Sequence, residues 1–247
     1  MTLPACRIGC AGWSLPRTGR DAFAADGSHL QRYASRFDAS EINSSFHRPH
    51  YHDTYRRWAD SVPSSFRFSV KLPRGITHER RLHDGAGPLR EFFAQASGLG
   101  AALGCVLVQL PPSLAFEPGV ARRFFIDLRR QWSGDVAVEP RHVSWFGAQA
   151  DDLLTAHRAC RVLADPVLHD AGARPGGWPG LVYLRLHGSP RVYYSAYGHP
   201  LLDALAGRLA LALREGQPAW CIFDNTAAGA AVDNALSLQS ALRTQTP

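Results

Sequence analysis

Lysine is almost absent from this sequence: Lys71 is the only one among 27 basic residues, so arginine carries nearly all of the positive charge. The formal net charge is +6 and the isoelectric point is near 9.4, which favours anionic partners. No dense run of basic residues is present, and this disfavours a polynucleotide footprint. Lysine differs from arginine because its compact ammonium loses its proton readily when buried. Lys71 ends a predicted strand, and we expect it to line a site.

Cysteine is also scarce, with five residues, an odd number, and no close pair with metal or redox spacing. We therefore expect buried free thiols, no disulfide framework and a reducing compartment. Long apolar stretches are missing, so no segment reaches the length that spans a bilayer, and the amino terminus has no signal-peptide core. The sequence predicts a cytoplasmic protein that makes no membrane contact.

Short apolar runs alternate with longer amphipathic ones, a pattern typical of parallel α/β sheets. The predicted strands are 7–11, 37–42, 66–71, 104–110, 136–139, 161–165, 181–187 and 219–224. The predicted helices are 28–36, 52–61, 87–103, 118–132, 148–160, 200–214 and 227–242. Residues 166–180 are rich in glycine and proline, so we expect the helix after the sixth strand to be weak or missing.

Eight strands in alternation with helices predict a TIM-type (β/α)8 barrel, formed as a single domain by residues 1–247. An open doubly wound sheet is the alternative. Against that alternative, the segment from Gly9 to Trp13 lacks the glycine spacing of a dinucleotide loop and ends in a bulky aromatic residue.

Polar residues gather at the ends of the predicted strands. In the stretch from Leu181 to His187, the side chains of Tyr183, Arg185 and His187 share one face of the strand. Barrel enzymes carry their chemistry at the carboxyl ends of the strands, so we expect a ligand site built of paired charges there. A purely structural salt-bridge network is the competing interpretation. The residues expected to point inward are Glu41, Asn43, Lys71, Gln109, Glu139, Arg141, Asp165, Arg185, His187 and Asn225.

Several motifs, taken together, resemble the YecE-like family, known as domain of unknown function 72. They are Gly12-Trp13-Ser14, Glu41-Ile42-Asn43-Ser44-Ser45-Phe46, Phe68-Ser69-Val70-Lys71 with Thr77-His78, Gln109-Leu110-Pro111-Pro112-Ser113, Val138-Glu139-Pro140-Arg141-His142 with Ser144-Trp145-Phe146, Arg185-Leu186-His187-Gly188 and Phe223-Asp224-Asn225-Thr226. The resemblance implies a TIM-type barrel and no settled activity, so function has to be argued from the site. The chain departs from the family's usual pattern at Cys10, Ala11, Leu15, His47 and Asp224.

The first functional hypothesis is an enzyme that acts on a small anionic molecule bearing phosphate or carboxylate. Lys71, Arg141 and Arg185 would hold the anion, while Glu139 or His187 would move protons. The candidate catalytic residues are therefore Lys71, Glu139 and His187. The candidate binding residues are Trp13, Glu41, Asn43, Gln109, Arg141, His142, Trp145, Arg185 and Asn225, with Tyr197 as a further wall of the mouth.

Three alternatives remain open from the sequence. A divalent metal would use carboxylates and imidazoles at the strand ends, although their spacing is not diagnostic. Lys71 would serve a Schiff-base mechanism. Single-stranded nucleic acid would bind exposed aromatics such as Trp13 or Trp145 beside arginines. The metal alternative rests on Glu41, Glu139, His142, His187 and Asp224, and the nucleic-acid alternative on Arg48, Arg56, Arg57, Arg80 and Arg81. The sequence does not identify the cofactor, the reaction or the oligomeric state.

Overall fold

The structure, a computed structural model, describes residues 4–15 and 20–245. Its strands are β1 (Cys6–Ala11), β2 (Ala39–Ile42), β3 (Arg67–Lys71), β4 (Leu103–Gln109), β5 (Asp135–Glu139), β6 (Ala159–Arg161), β7 (Leu163–Asp165), β8 (Gly176–Gly177), β9 (Val182–Leu186) and β10 (Ala219–Phe223). Its α-helices are α1 (His29–Ala34), α2 (His52–Asp60), α3 (Ala86–Ala96), α4 (Pro118–Gln131), α5 (Ala148–Ala156), α6 (His199–Arg214) and α7 (Ala230–Gln245).

The strands form one curled sheet in the order β7-β9-β10-β1-β2-β3-β4-β5-β6-β8. Neighbouring strands are parallel except for β6 and β8, which are antiparallel. The predicted strand 161–165 is divided into β6 and β7 by Val162, whose backbone N–H still donates to Val138 of β5. The chain changes partner at this point, because β6 pairs with β5 and β7 pairs with β9. One stretch of chain thus contacts two strands that are far apart in the sheet order.

The inner face of the sheet is layered, because alternate residues of a strand point to the same side. A cluster of apolar side chains, which includes Ala39, Leu107, Ala137, Tyr183 and Ile222, packs inside the curl. Two residues further along the same strands, the inward side chains become polar and charged. They are Glu41, Gln109, Glu139, Arg185 and Asp224, and all five are buried. The carboxyl end of the sheet therefore carries a charged layer on an apolar base.

Two predicted helices are shorter than the sequence pattern indicates. The predicted helix 87–103 ends at Ala96 and continues as a 3-10 turn over Ser97–Ala102, where Gly100 has a φ of 52°. Gly98 approaches α2 so closely that a Cβ there would lie 2.2 Å from the His52 carbonyl oxygen. The predicted helix 148–160 ends at Ala156, because Cys160 pairs in β6 instead.

Residues 166–180, all of which the structure describes, contain a 3-10 turn at Asp170–Ala173 and β8 but no α-helix, as predicted. No helix in the described part of the chain is long and apolar enough to cross a membrane. The five cysteines are free thiols, and all but the half-buried Cys6 are buried. Burial raises the pKa of the Cys10 thiol to about 12, so this group stays protonated and unreactive at neutral pH.

Candidate functional site

Arg185, near the end of β9, is the centre of the buried charged layer. Its guanidinium donates to Glu41 through Nε (3.1 Å) and Nη2 (2.7 Å), and to Glu139 Oε2 through Nη1 (3.1 Å). Its Nη2 also lies 3.0 Å from Asp224 Oδ2. Burial alone would lower the pKa of Arg185, but the three carboxylates outweigh that effect and raise it well above its usual value. We call Glu41, Glu139, Arg185, His187 and Asp224 the Arg185 cluster.

His187 bridges two carboxylates of the Arg185 cluster. Its Nε2 lies 2.9 Å from Glu139 Oε1, and its Nδ1 lies 3.1 Å from Asp224 Oδ2. Burial alone would lower the pKa of His187, but the charge of Glu139 and the hydrogen bonds to both carboxylates raise it. Burial opposes ionisation of Glu139 too, yet Arg185, His187 and Arg141 hold its pKa well below the usual value. Both shifts favour the charged forms of the pair, an imidazolium and a carboxylate.

The base of the cluster is fixed by Tyr183, two residues before Arg185 on the same face of β9. Its hydroxyl lies 2.9 Å from Glu41 Oε2 and 2.8 Å from the Ser69 hydroxyl. Asn43 covers Asp224, with its amide nitrogen 3.3 Å from Oδ1, whereas the reversed amide would bond Glu41 and Arg185. Gln109 donates to Glu139 Oε2 at 3.1 Å. These contacts hold the carboxylates in place before any ligand arrives.

Lys71, at the end of β3, differs from every other cation in this layer. It is 7% exposed, and its ammonium makes no hydrogen bond or ion pair within the described residues. The ammonium lies 4.0 Å from the centre of the Phe46 ring, a cation–π contact. Burial, followed by the charge of Arg185, lowers the pKa of Lys71 to about 8, although the carboxylates of Glu41, Glu139 and Asp224 oppose the shift.

Arg141 and His78 lie on the solvent side of the cluster. The Arg141 side chain is 23% exposed, and its Nη2 donates to Glu139 Oε1 at 3.1 Å. Its Nε is buried and has no hydrogen-bond partner in the part of the chain that the structure describes. His78 packs its ring 4.9 Å from Phe46, and burial together with the charges of Lys71, Arg74 and Arg141 lowers its pKa. His78 is therefore a neutral imidazole near three cations.

The aromatic residues expected to wall the ligand site are buried or half-buried. The expectation of an exposed Trp145 is wrong, because this side chain is 1% exposed and its indole N–H donates to Leu114 O at 3.0 Å. Trp13 is half-buried and packs 5.1 Å from Trp58, which leaves little of either tryptophan for stacking on a nucleic-acid base. The buried Tyr197 accepts a hydrogen bond from the Gly188 N–H and binds Asp165 Oδ1 at 2.8 Å, so its hydroxyl anchors the loop after β9.

His142 and Asn225 also make their polar contacts away from the Arg185 cluster. His142 caps the 3-10 turn Val143–Phe146, with its Nδ1 2.8 Å from the Ser144 hydroxyl. The amide nitrogen of Asn225 donates to Asn234 Oδ1 and to the Ser195 carbonyl, which ties the loop after β9 to α7. A direct role of either residue in binding stays a prediction.

The sequence reasoning missed four residues of the site. Tyr183 carried a usable signal, since it shares a strand face with Arg185 and His187, whereas Asp224 had been considered only as a metal ligand. Phe46 and His78 belong to motifs that resemble the family, but the sequence did not suggest a role in the site for either residue. Tyr193 had no signal at all: it adopts a φ of 70°, and its ring lies 5.9 Å from the His187 ring, edge to face.

The arrangement does not favour a metal. In the described ranges, no three histidine, cysteine, aspartate or glutamate side chains are grouped as metal ligands. The carboxylates that the metal alternative needs already accept hydrogen bonds from Arg185 and His187. The geometry instead offers a preorganised set of fixed charges, and beside them the Lys71 ammonium, which has no ion pair among the described residues.

The fold and site define an α/β protein with a charged cluster at the carboxyl end of a curled sheet. The chain belongs to the family described as "Protein of unknown function DUF72", whose model matches residues 7–247. The family predicted from the motifs is thereby confirmed.

Known relatives agree with this assignment. The chain is similar to the UPF0759 protein YecE of Escherichia coli K12, with 27% identity over 151 residues, which is 61% of this chain and 53% of that protein. The chain thus spans about half the length of the curated relatives it matches. The fold resembles a DUF72 family protein of Thermotoga maritima MSB8, with a TM-score of 0.78, 22% identity and coverage of 97% of this chain and 99% of the other. A DUF72 family protein of Enterococcus faecalis V583 gives a TM-score of 0.77 at 20% identity, covering 96% and 95% of the two chains.

Proposed function

We propose that this protein binds a small molecule bearing phosphate or carboxylate at the carboxyl end of the sheet, with Lys71 and Arg141 in contact with the anionic group. The observation that carries the proposal is the Lys71 ammonium, which is buried without an ion pair among the described residues. A buried charge without a partner costs several kcal/mol in many proteins, roughly 2–7 kcal/mol for polar groups alone. An incoming anion would remove that cost.

The balance of charge supports an anion over a cation. The carboxylates of Glu41, Glu139 and Asp224 are paired with Arg185, Arg141 and His187, whose raised pKa favours the protonated form. Lys71 is the further cation of this layer, without an ion pair among the described residues, and with His187 protonated the site carries a net positive charge. The Arg141 guanidinium, on a side chain that is 23% exposed, adds donors suited to a carboxylate or phosphate oxygen.

Restricted exposure supports a small ligand. Glu139 and His187 are 1% and 2% exposed, whereas the Arg141 side chain is 23% exposed. A ligand that enters from solvent would therefore meet Arg141 before the less exposed Lys71, and the charges of both residues act on His78. A polymeric strand would need a longer row of exposed contacts.

We assign any acid–base step to Lys71, with Glu139 and His187 as positioning residues. A proton-transfer group works best when its pKa lies near the working pH, and the Lys71 pKa of about 8 meets that condition. Glu139 accepts hydrogen bonds from Gln109, Arg141 and Arg185, so it is poorly placed to take a proton from a ligand.

We further infer that the sheet closes into an eight-stranded barrel and that the chain is one domain. In support, only Val162 separates β6 from β7. Strand β6 pairs with β5 and β7 pairs with β9, so this one segment connects the two ends of the sheet. Counting them as one strand, and leaving out the two-residue β8, gives eight strands. An experimental structure with separated β5 and β9 edges would contradict closure.

Binding is tested by thermal shift and calorimetry with phosphorylated metabolites and sugar acids. The variants are Lys71→Met, Arg141→Gln and the control Arg90→Met, which removes an exposed charge on α3. At about 100 times Kd a ligand stabilises the wild type by about 2.7 kcal/mol, or about 5–10 °C for a chain of this size. Only the control should keep that shift. Equal binding to Lys71→Met, or no stabilising anion in the set, would refute the proposal.

A further inference from the structure

We propose that the Lys71 amine condenses with the carbonyl group of a small anionic aldehyde or ketone, forming a carbon–nitrogen double bond on the protein. This inference rests on the proposed function: the anionic group that Lys71 and Arg141 attract on binding stays with Arg141 when the carbonyl carbon reaches the amine. It goes further by assigning a covalent step and a class of substrate.

The position of Lys71 carries the argument. An amine that forms an imine has to be reachable by the carbonyl carbon, free of ion pairs and able to lose its proton. Lys71 extends from the end of β3 beside Phe46, and its Nζ has no hydrogen bond or ion pair in the described ranges. Arg185, the next cation inward, is held by three carboxylates and repels a second positive charge. Arginine could not replace Lys71 in this role, because a guanidinium keeps its proton.

The proton equilibrium agrees with that position. Burial and the charge of Arg185 lower the pKa of Lys71 from 10.5 to about 8. At pH 7 this gives about 300-fold more neutral amine than an ordinary exposed lysine would have. Neutral amine is the form that attacks a carbonyl carbon.

The step balances without a further reagent. The nitrogen lone pair forms a bond to the carbonyl carbon, and the carbonyl π electrons move to oxygen, which takes a proton. The nitrogen then expels that oxygen as water and keeps one hydrogen, so the lysine ammonium and the carbonyl become a protonated imine and one water molecule. The positive charge at the position of Nζ is preserved, and the Arg185 cluster faces the same charge before and after the step.

Anionic carbonyl compounds fit the surroundings better than neutral ones. Arg141 reaches solvent, so its guanidinium can hold a carboxylate or phosphate while the carbonyl carbon meets Lys71. The Phe46 ring closes one side of the ammonium and limits the size of the group attached there.

The test is reductive trapping of the full chain with glyoxylate and with glycolaldehyde phosphate, each in the presence of cyanoborohydride. Neutral glycolaldehyde is the matched control for the anionic group. Because Lys71 is the only lysine, peptide mass mapping assigns the adduct without ambiguity. We expect Lys71 to be modified about tenfold faster by the anionic aldehydes, a factor equal to about 1.4 kcal/mol of binding. Inorganic phosphate should slow the reaction by competition.

Three variants sharpen the result. Lys71→Arg should give no adduct within the β3 peptide, Arg141→Gln should remove most of the preference for anionic aldehydes, and Arg90→Met should behave like the wild type. If wild-type Lys71 is not trapped although phosphate stabilises the protein through Lys71, the imine inference fails and the proposed function stands. Labelling at Lys71 with no preference for an anion would also overturn the inference. If neither trapping nor anion binding occurs, both fail.

Discussion

Arg185 and Lys71 are both buried cations at strand ends of the same sheet, yet they have opposite surroundings. Arg185 contacts three carboxylates, and its pKa is raised; Lys71 contacts the face of Phe46, and its pKa falls to about 8. The two side chains are similarly buried, at 1% and 7% exposure. The ion pairs of Arg185 with carboxylates therefore account for the opposite shifts of the two pKa values. Arg185 completes the protein's own structure, whereas the Lys71 charge has no ion-pair partner among the described residues.

Removing Arg185 should have the largest effect on stability. Arg185→Met leaves the carboxylates of Glu41, Glu139 and Asp224 buried with one cation fewer, and breaking a buried pair in this way typically costs about 3–5 kcal/mol. Urea denaturation at pH 7 measures the free energy of unfolding. Arg90→Met, the exposed control, should change it by less than about 0.5 kcal/mol. Equal effects of the two substitutions would show that the cluster is not structural.

His187→Gln should have the next largest effect, and it should depend on pH. The folded-state pKa of His187 is raised above its ordinary 6.5, so its stabilisation is complete below pH 6.5 and is lost as the pH rises through the folded-state value. At pH 6 the lost charged hydrogen bonds should cost about 1.5–3 kcal/mol. Denaturation of both proteins between pH 5.5 and 9, in about half-unit steps, should show the difference shrinking with rising pH. A constant difference would mean that His187 is neutral.

Lys71→Met should do the reverse and stabilise the protein. The folded-state pKa of about 8 lies below the ordinary 10.5, so the charged lysine opposes folding below pH 8, and this penalty fades as the pH rises to 10.5. The expected gain is about 1–2 kcal/mol at pH 7, discounted for relaxation around the site. The same urea series measures it. A loss of stability on removal of Lys71 would contradict the view that its charge is unpaired.

The smallest effect should come from the ring beneath Lys71. Phe46→Leu keeps an apolar side chain but removes the cation–π contact at 4.0 Å. A double-mutant cycle with Lys71→Met should give a coupling of about 0.5–1 kcal/mol. A coupling indistinguishable from zero would show that Phe46 only fills space.

The alternation of side chains let the sequence predict the cluster but not its surroundings. Glu41, Glu139 and Arg185 could be placed inward because a strand repeats every two residues and its carboxyl end is known. Phe46 reaches Lys71 only because the turn after β2 meets the end of β3, a contact between segments that no local pattern encodes. Asn225 is a similar case, because its amide binds Asn234 and the Ser195 carbonyl, which are distant in sequence from the strand end that predicted its position.

Backbone irregularities were the other obstacle. Val162 interrupts a run that reads as one strand, because the chain changes partner from β5 to β9 at that residue. Tyr193 lies over His187 through a left-handed backbone that a tyrosine seldom adopts. The position of Trp145 in a loop predicts an exposed aromatic ring. The ring is buried instead, and its indole N–H is satisfied by the Leu114 carbonyl.

The central claim, that Lys71 is an unpaired buried ammonium awaiting an anion, is tested most directly by NMR titration of the protein labelled with 15N-lysine. The only lysine gives one side-chain signal. The account predicts a titration midpoint near pH 8 that rises when a binding anion is added. A midpoint near the ordinary 10.5 that no anion changes would contradict it.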